Sequence, residues 1–272
     1  MKYLLTLFIA ASCLAQSGLR SPTFVAQLQQ PASGFTYYAT HFDGSNDYMT
    51  DDSGDQGATD SDRGLISYWV KFAAASDGQF VIIMCLNRSG SPNGVSFSKF
   101  SDDKIRFYCA NSGSGVVLDM QTTSAFTSAS GWLHVVASWD LSTAGRRKIY
   151  VNGVDETTET TFSVGGTIDY AGANPTKFGA DHDNALKLAG DISEFYFTIP
   201  ASYYDLSSSS NRDKFYNSGT GKPVDLGSDG STPTGTQPLT YLKNPFGTFQ
   251  NNAGSGGNWT VTGTLTAAST IP

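Results

Sequence analysis

The acids closest in spacing to a hydrolytic pair are Asp191 and Glu194, in Asp191-Ile-Ser-Glu194. Glycoside hydrolysis with retention needs two carboxyl groups about 5–5.5 Å apart on either side of the scissile bond. A regular strand sends successive side chains to opposite faces, so a spacing of three places these two on different sides of a sheet. The other glutamates, Glu156 and Glu159, follow a turn among threonines with Asp155 and read as a solvated hairpin. Acyl transfer has no better footing. The chain holds no Gly-x-Ser-x-Gly elbow, and His41, His134 and His182 accompany no recognisable nucleophile. Gly219-Thr-Gly-Lys222 lacks the upstream glycine and the closing Ser/Thr of a phosphate loop, because Pro223 stands there. The expectation is a chain that is not an enzyme.

Hard-cation binding is the remaining chemistry. Ca²⁺ takes six to eight oxygens, which Asp, Asn and backbone carbonyls of loops supply. Two clusters offer them: Asp43, Asn46 and Asp47, and Asp181, Asp183 and Asn184 in the loop 180–186. The competing reading is that these residues cap turn amides. No Cys/His pairing supports zinc, and one His beside carboxylates does not make a transition-metal site. Ca²⁺ is the only cofactor expected. For sugar stacking the candidates are Tyr37-Tyr38 and Tyr203-Tyr204, each read as a half-buried pair. The sequons Asn87-Arg-Ser89 and Asn258-Trp-Thr260 have meaning only on a eukaryotic secretory route.

The elements that must position such residues are strands. In 65–72, Ile66, Tyr68, Val70 and Phe72 alternate onto one face, the pattern of a half-buried strand. The run 80–86 is apolar on both faces and reads as a central strand, followed by 94–100 and 104–110 in a meander. Further strands are expected at 132–140, 148–152, 188–199, 239–242 and 258–265, with Asn152-Gly153 as a hairpin turn. One helix is expected at 209–217, capped by Ser209 or Ser210 and stopped by Gly219. Of 24 acids only three are glutamates, so turn-forming aspartate dominates, as suits many short strands. Cys85 and Cys109 fall on the first and third meander strands, about 9.5 Å apart. That exceeds the roughly 7 Å a disulfide allows, so both are expected to be buried thiols.

At 272 residues the chain is long enough for a sizeable core. A net charge of −7 with no basic cluster beyond Arg146-Arg147-Lys148 excludes a phosphate backbone as partner. At the N-terminus Lys2 precedes an apolar run, Tyr3–Ala11, too short to span a bilayer, with a small-residue cleavage pattern ending at Ala15. It reads as a signal peptide or as an apolar arm retained against a neighbour, with Cys13 a weaker lipidation site. The expected organisation is 1–35, a hydrophobic segment plus linker with one short strand at 24–28; 36–200, the sandwich; and 201–272, a helix, a Gly/Asp/Pro-rich loop and returning strands.

Four segments together resemble the laminin-G-like branch of the concanavalin A-like lectin/glucanase superfamily. They are His41-Phe-Asp-Gly-Ser-Asn-Asp-Tyr-Met49, Ile66-Ser-Tyr-Trp-Val-Lys71, Trp132-Leu-His-Val135 with Lys148-Ile-Tyr-Val-Asn-Gly153, and Gly190-Asp-Ile-Ser-Glu-Phe195. The resemblance implies an all-β, antiparallel jelly-roll sandwich in which Trp69, Trp132 and the 150–153 turn are scaffold, and it strengthens the calcium reading at the rim. That fold also hosts glycosidases carrying Glu-x-Asp-x-Glu on one strand, a pattern absent here. The tail, Lys222–Gly235 and Asn251–Gly263, is similar to the C-terminal extension of laminin-G-like proteins of tailed bacteriophages and prophages. This implies a virion protein, whether capsid decoration, head fibre or tail-associated. Its partners would be neighbouring capsid or tail proteins, further copies of itself and a host surface glycan, with no nucleic acid and no membrane span. The alternative is a secreted or periplasmic calcium-dependent carbohydrate-binding module, and a third reading is a concanavalin A-fold glycoside hydrolase with Glu194 as its candidate acid.

Overall fold

The computed structural model describes residues 35–51, 54–87, 94–172 and 174–272. The expected N-terminal segment, its strand at 24–28, Cys13 and Ser89 lie outside the described residues. In chain order the strands are β1 (Thr40–Asp43), β2 (Tyr48–Asp51), β3 (Arg63–Phe72), β4 (Val81–Leu86), β5 (Val95–Lys99) and β6 (Ile105–Ala110). They continue with β7 (Val116–Thr122), β8 (Leu133–Asp140), β9 (Arg147–Val151), β10 (Val154–Asp155), β11 (Thr157–Phe162), β12 (Thr176–Phe178) and β13 (Ala189–Thr198). One helical turn, α1 (Ser209–Arg212), precedes β14 (Tyr216–Asn217), β15 (Lys222–Pro223), β16 (Thr240–Leu242), β17 (Thr260–Thr262) and β18 (Thr266–Ala267).

Two antiparallel sheets face each other. The first runs β10-β9-β8-β3-β13-β1-β18, with β16 also on β13; the second runs β11-β7-β6-β5-β4-β12-β2-β17. This is the all-β sandwich expected. Alternation fills the space between the layers: Ile66, Tyr68, Val70 and Phe72 of β3 meet Phe97, Phe107 and Phe178 from the other sheet. The rings interlock across it, with Phe178 edge-on to Phe195 at 4.8 Å and Phe97 against Trp139 at 5.9 Å. Each such side chain contributes about 1.5–3 kcal/mol by leaving water. Cys85 and Cys109 are buried thiols not joined to one another. Cys109 faces this core, while Cys85 Sγ lies 3.6 Å from the Ala180 carbonyl oxygen.

Three expectations need correction. β3 is buried on both faces: Leu65, Ser67 and Trp69 are as enclosed as the core-facing set. The cause is a third layer, in which Leu206, Phe215, Leu226 and Tyr241 join Leu65, Val136, Tyr150 and Tyr196 in a second apolar cluster on the outer face of the first sheet. The expected helix at 209–217 shrinks to one turn, whose cap Ser208 makes no side-chain capping bond. Three of its four residues, Ser209, Ser210 and Asn211, are weak helix formers, and the Asn211 side-chain amide donates to the Asp205 carbonyl instead. The strand expected at 258–265 divides into β17 and β18, which join different sheets. Gly263 makes the break with φ +88°, where a Cβ would sit 2.3 Å from Asp47 Oδ1. Among the described residues no helix is long and apolar enough to cross a membrane.

Candidate functional site

Four strands of the first sheet carry one polar row on the face away from the core. The register pairs Thr266 with His41, His41 with Asp191, and Asp191 with Lys71. Their neighbours Phe42, Ile192 and Phe72 point inward, so alternation turns the row outward. His41 Nδ1 and Asp191 Oδ1 are 2.7 Å apart. The Lys71 ammonium donates to Thr270 Oγ1 at 3.2 Å, and Trp132 Nε1 donates to the same oxygen at 3.0 Å. Around the row Ala73, Ala74, Ser128, Ala267 and Ser269 raise walls, enclosing an open groove of about 440 Å³. Gly190 lets β13 approach: a Cβ there would meet the Lys71 carbonyl oxygen at 2.6 Å. A carboxylate, an imidazole, an ammonium and hydroxyls on a rigid floor form an array suited to a polyhydroxylated ligand.

The acids Asp191 and Glu194, 6 % and 3 % exposed, part company by what each touches, not by alternation. A bulge between Ser193 and Tyr196 breaks the regular strand, and Glu194 takes φ +49°. Its carboxyl ends beneath the third layer, where it is 3 % exposed and accepts the Tyr241 hydroxyl proton at 2.6 Å on Oε2. Burial pushes it up to about 8, against the pull of Tyr241 and Lys243. Asp191 lines the groove; Glu194 is sealed from it.

Sequence reasoning missed one contact: Ser67 Oγ lies 2.9 Å from His134 Nε2, across the β3–β8 pairing. Positions 67 and 134 become neighbours only through that register. Burial lowers His134 to about 3, and Nδ1 has no partner to orient the ring, so this is not the arrangement of a base-activated nucleophile.

The two loops singled out for calcium turn the chain. Asp43 Oδ1 accepts the backbone N–H groups of Ser45, Asn46 and Asp47 at 2.7, 3.0 and 3.2 Å. Burial pushes its carboxyl up, but those three donors and His41 outweigh burial and hold it below the usual carboxylate range. Asp47 accepts Asp43 N–H on Oδ2 and, from the returning tail, Thr264 N–H on Oδ1 at 2.7 Å. Asp181 Oδ1 accepts Asp183 and Ala185 N–H, His182 Nε2 reaches Asp183 at 3.0 Å, and Asn184 sits at φ +60° with its carbonyl bonded by Lys187. Among the described residues no three or more His, Cys, Asp or Glu side chains are grouped to hold a metal ion.

Of the tyrosines considered for stacking, Tyr37 is buried, Tyr204 packs on the second cluster, and the Arg146 guanidinium lies 5.5 Å from the Tyr203 ring centre, leaving Tyr38 exposed. On the outer face of the second sheet Arg106 grips Asp119 with two nitrogens and lies over Phe100 at 4.2 Å.

A family model described as the concanavalin A-like lectin/glucanases superfamily, of laminin-G type, matches residues 33–198. A Bacteroides ovatus structure described as a candidate carbohydrate-binding protein aligns at TM-score 0.55 with 14 % identity, over 88 % of this chain and 62 % of its own. This chain therefore spans less than two thirds of that protein. A Limulus polyphemus pentraxin aligns at TM-score 0.41 with 16 % identity, over 59 % of this chain and 75 % of its own. Domain 4 of a Geobacillus stearothermophilus arabinanase, solved with arabinotriose, gives 0.39 and 18 %, over 58 % and 69 %. No curated protein matches the chain.

Proposed function

The chain belongs to the concanavalin A-like lectin/glucanase superfamily, and from that premise we propose that it is a non-catalytic glycan-binding module whose ligand lies over Lys71, Asp191 and His41. The observation that carries this reading is the outward polar row, walled into a groove and aligned by strand register. A shared fold with the Bacteroides ovatus protein agrees with carbohydrate binding. Catalysis is left out because Glu194, the only carboxyl near Asp191 on its strand, is closed off by Tyr241.

For the setting, we take the module to be a virion protein of a tailed phage, in contact with capsid or tail neighbours and further copies of itself. The tail sequences 222–235 and 251–263 and the apolar Tyr3–Ala11 run, read as an arm retained in the particle, support this. The same run, read as a cleaved leader, supports a secreted or periplasmic module instead. Mass analysis of the native N-terminus separates the two: an intact Met1–Ala15 in purified particles fits the first, and cleavage near Ala15 the second.

The binding test is a glycan array probed with the full chain and with Asp191→Asn and Lys71→Met. Binding weakened at least tenfold in both variants, with unchanged thermal stability, is expected. An empty array, or variants that bind as well as the parent, would sink the reading.

A further inference from the structure

The third layer holds down a group that the glycan reading does not use. His134 is fully enclosed, its ring stacked on Tyr216 at 5.1 Å and 8° and tilted at 47° against Trp69 at 5.1 Å, while Trp69 and Tyr216 touch each other at 5.8 Å. Tyr216 belongs to the β14–β15 hairpin, a two-stranded ribbon hydrogen-bonded to neither large sheet. Its turn is closed by Asn217, whose Oδ1 accepts the Gly219 and Thr220 N–H groups. We infer that this hairpin is an acid-released cover, docked on the first sheet only while His134 is uncharged.

The reasoning starts from the ring nitrogens. Nε2 is satisfied by Ser67, but Nδ1 is buried with no partner among the described residues. A neutral imidazole can leave one nitrogen bare; a protonated one must place an N–H on both. The second N–H would be buried with no acceptor among the described residues. The described residues around the ring offer no counter-charge. Ser67 and Trp69 face the ring from β3, Asn152 holds the His134 backbone N–H from the turn after β9, and Tyr216 covers it from β14. None of these is charged at neutral or acid pH. The aromatic faces recover part of the cost of a cation, but burial prevails and holds the docked imidazole down to about 3.

Lifting the hairpin admits water and returns His134 to its ordinary value near 6.5. The docked state is therefore unaffected above that pH and loses ground below it, by about tenfold per pH unit until the docked imidazole itself titrates. From pH 7.5 to 4.5 the docked-to-lifted ratio should fall about 100-fold. Lifting would bare the indole of Trp69, now 3 % exposed, without disturbing Trp139 in the core.

The test is fluorine NMR of the full chain labelled with 5-fluorotryptophan, with Trp69 assigned by Trp69→Phe. Between pH 7.5 and 4.5 the Trp69 signal should move toward the exposed position while Trp139 stays. His134→Phe keeps a ring in the stack and should abolish the movement. Tyr216→Ala should place Trp69 at the exposed position already at pH 7.5, which keeps the test decisive if His134→Phe fails to fold. A Trp69 signal that stays put, one that moves only together with Trp139, or one that moves equally in His134→Phe overturns the inference.

Discussion

Replacing Glu194 by Gln should invert its effect on stability between mildly acid and alkaline pH. The carboxyl is buried beneath the third layer, with Oε2 accepting from Tyr241 and Oε1 lacking any partner. Its folded value of about 8 lies above the ordinary 4.5 because burial disfavours the anion, Tyr241 and Lys243 pull down, and Asp225 pushes up. Below pH 4.5 both folded and unfolded chains hold the proton, and the group imposes no pH dependence. Above it the unfolded chain releases a proton that the folded chain keeps, so stability falls with rising pH until the folded carboxyl titrates near 8. The span of about 3.5 pH units corresponds to about 5 kcal/mol at 1.36 kcal/mol per unit. Glutamine keeps an oxygen for Tyr241 but buries an amide with no acceptor, a constant cost of about 1–3 kcal/mol. The variant should thus be less stable than the parent at pH 5 and more stable at pH 9. Urea unfolding of both chains at pH 5, 7 and 9 measures the difference, in which all other titrations cancel. A difference that stays constant within about 1 kcal/mol across that range would refute the buried-carboxyl argument.

Other outcomes follow from the same geometry. Asp43→Asn weakens the acceptor that gathers three backbone amides and should cost about 1–2 kcal/mol, equally in calcium and in chelator; a loss confined to calcium would argue for a metal role in that loop. Gly190→Ala drives a Cβ to 2.6 Å from the Lys71 carbonyl oxygen, so β13 must shift and both glycan retention and melting temperature should fall; unchanged values for both would contradict the close approach.

The strands were legible because the core is built by alternation. Ile66, Tyr68, Val70 and Phe72 announce their face, and eight-residue runs such as 133–140 are too apolar to be loops. What stayed hidden depends on distant partners. Leu65, Ser67 and Trp69 look like a solvent face until residues 201–245 fold over them, and nothing local to β3 signals that cover. The polar Thr157–Phe162 run forms edge strand β11 against β7 with little apolar pattern of its own. At the groove, Asp191 was visible as an acid, but its partner His41 lies 150 positions away and meets it only through β1–β13 register. The bulge at Glu194 was equally invisible, since an irregularity of pairing leaves the residue order unchanged.

The outer face of the first sheet is thereby divided into two uses by one C-terminal segment. Over Ser67, Trp69, His134 and Tyr196 it lies as a packed layer, with Phe215 edge-on to Tyr196 at 5.2 Å and Tyr216 stacked on His134. Over Lys71, Asp191 and His41 it withdraws to the margin, contributing Ala267 and Ser269 as wall and Thr270 as the hydroxyl that Lys71 and Trp132 share. The same face is glue at one end and binding surface at the other, and the division falls between Trp69 and Lys71, one pleat apart on β3. A ligand in the groove therefore touches the strand whose next outward residue lies under the cover. Contact with the groove and docking of the layer share β3 and β13 as a common floor. A chain truncated before residue 201 would lose the cover, bare the apolar cluster and lose the groove wall together, so binding and solubility should fail in one step.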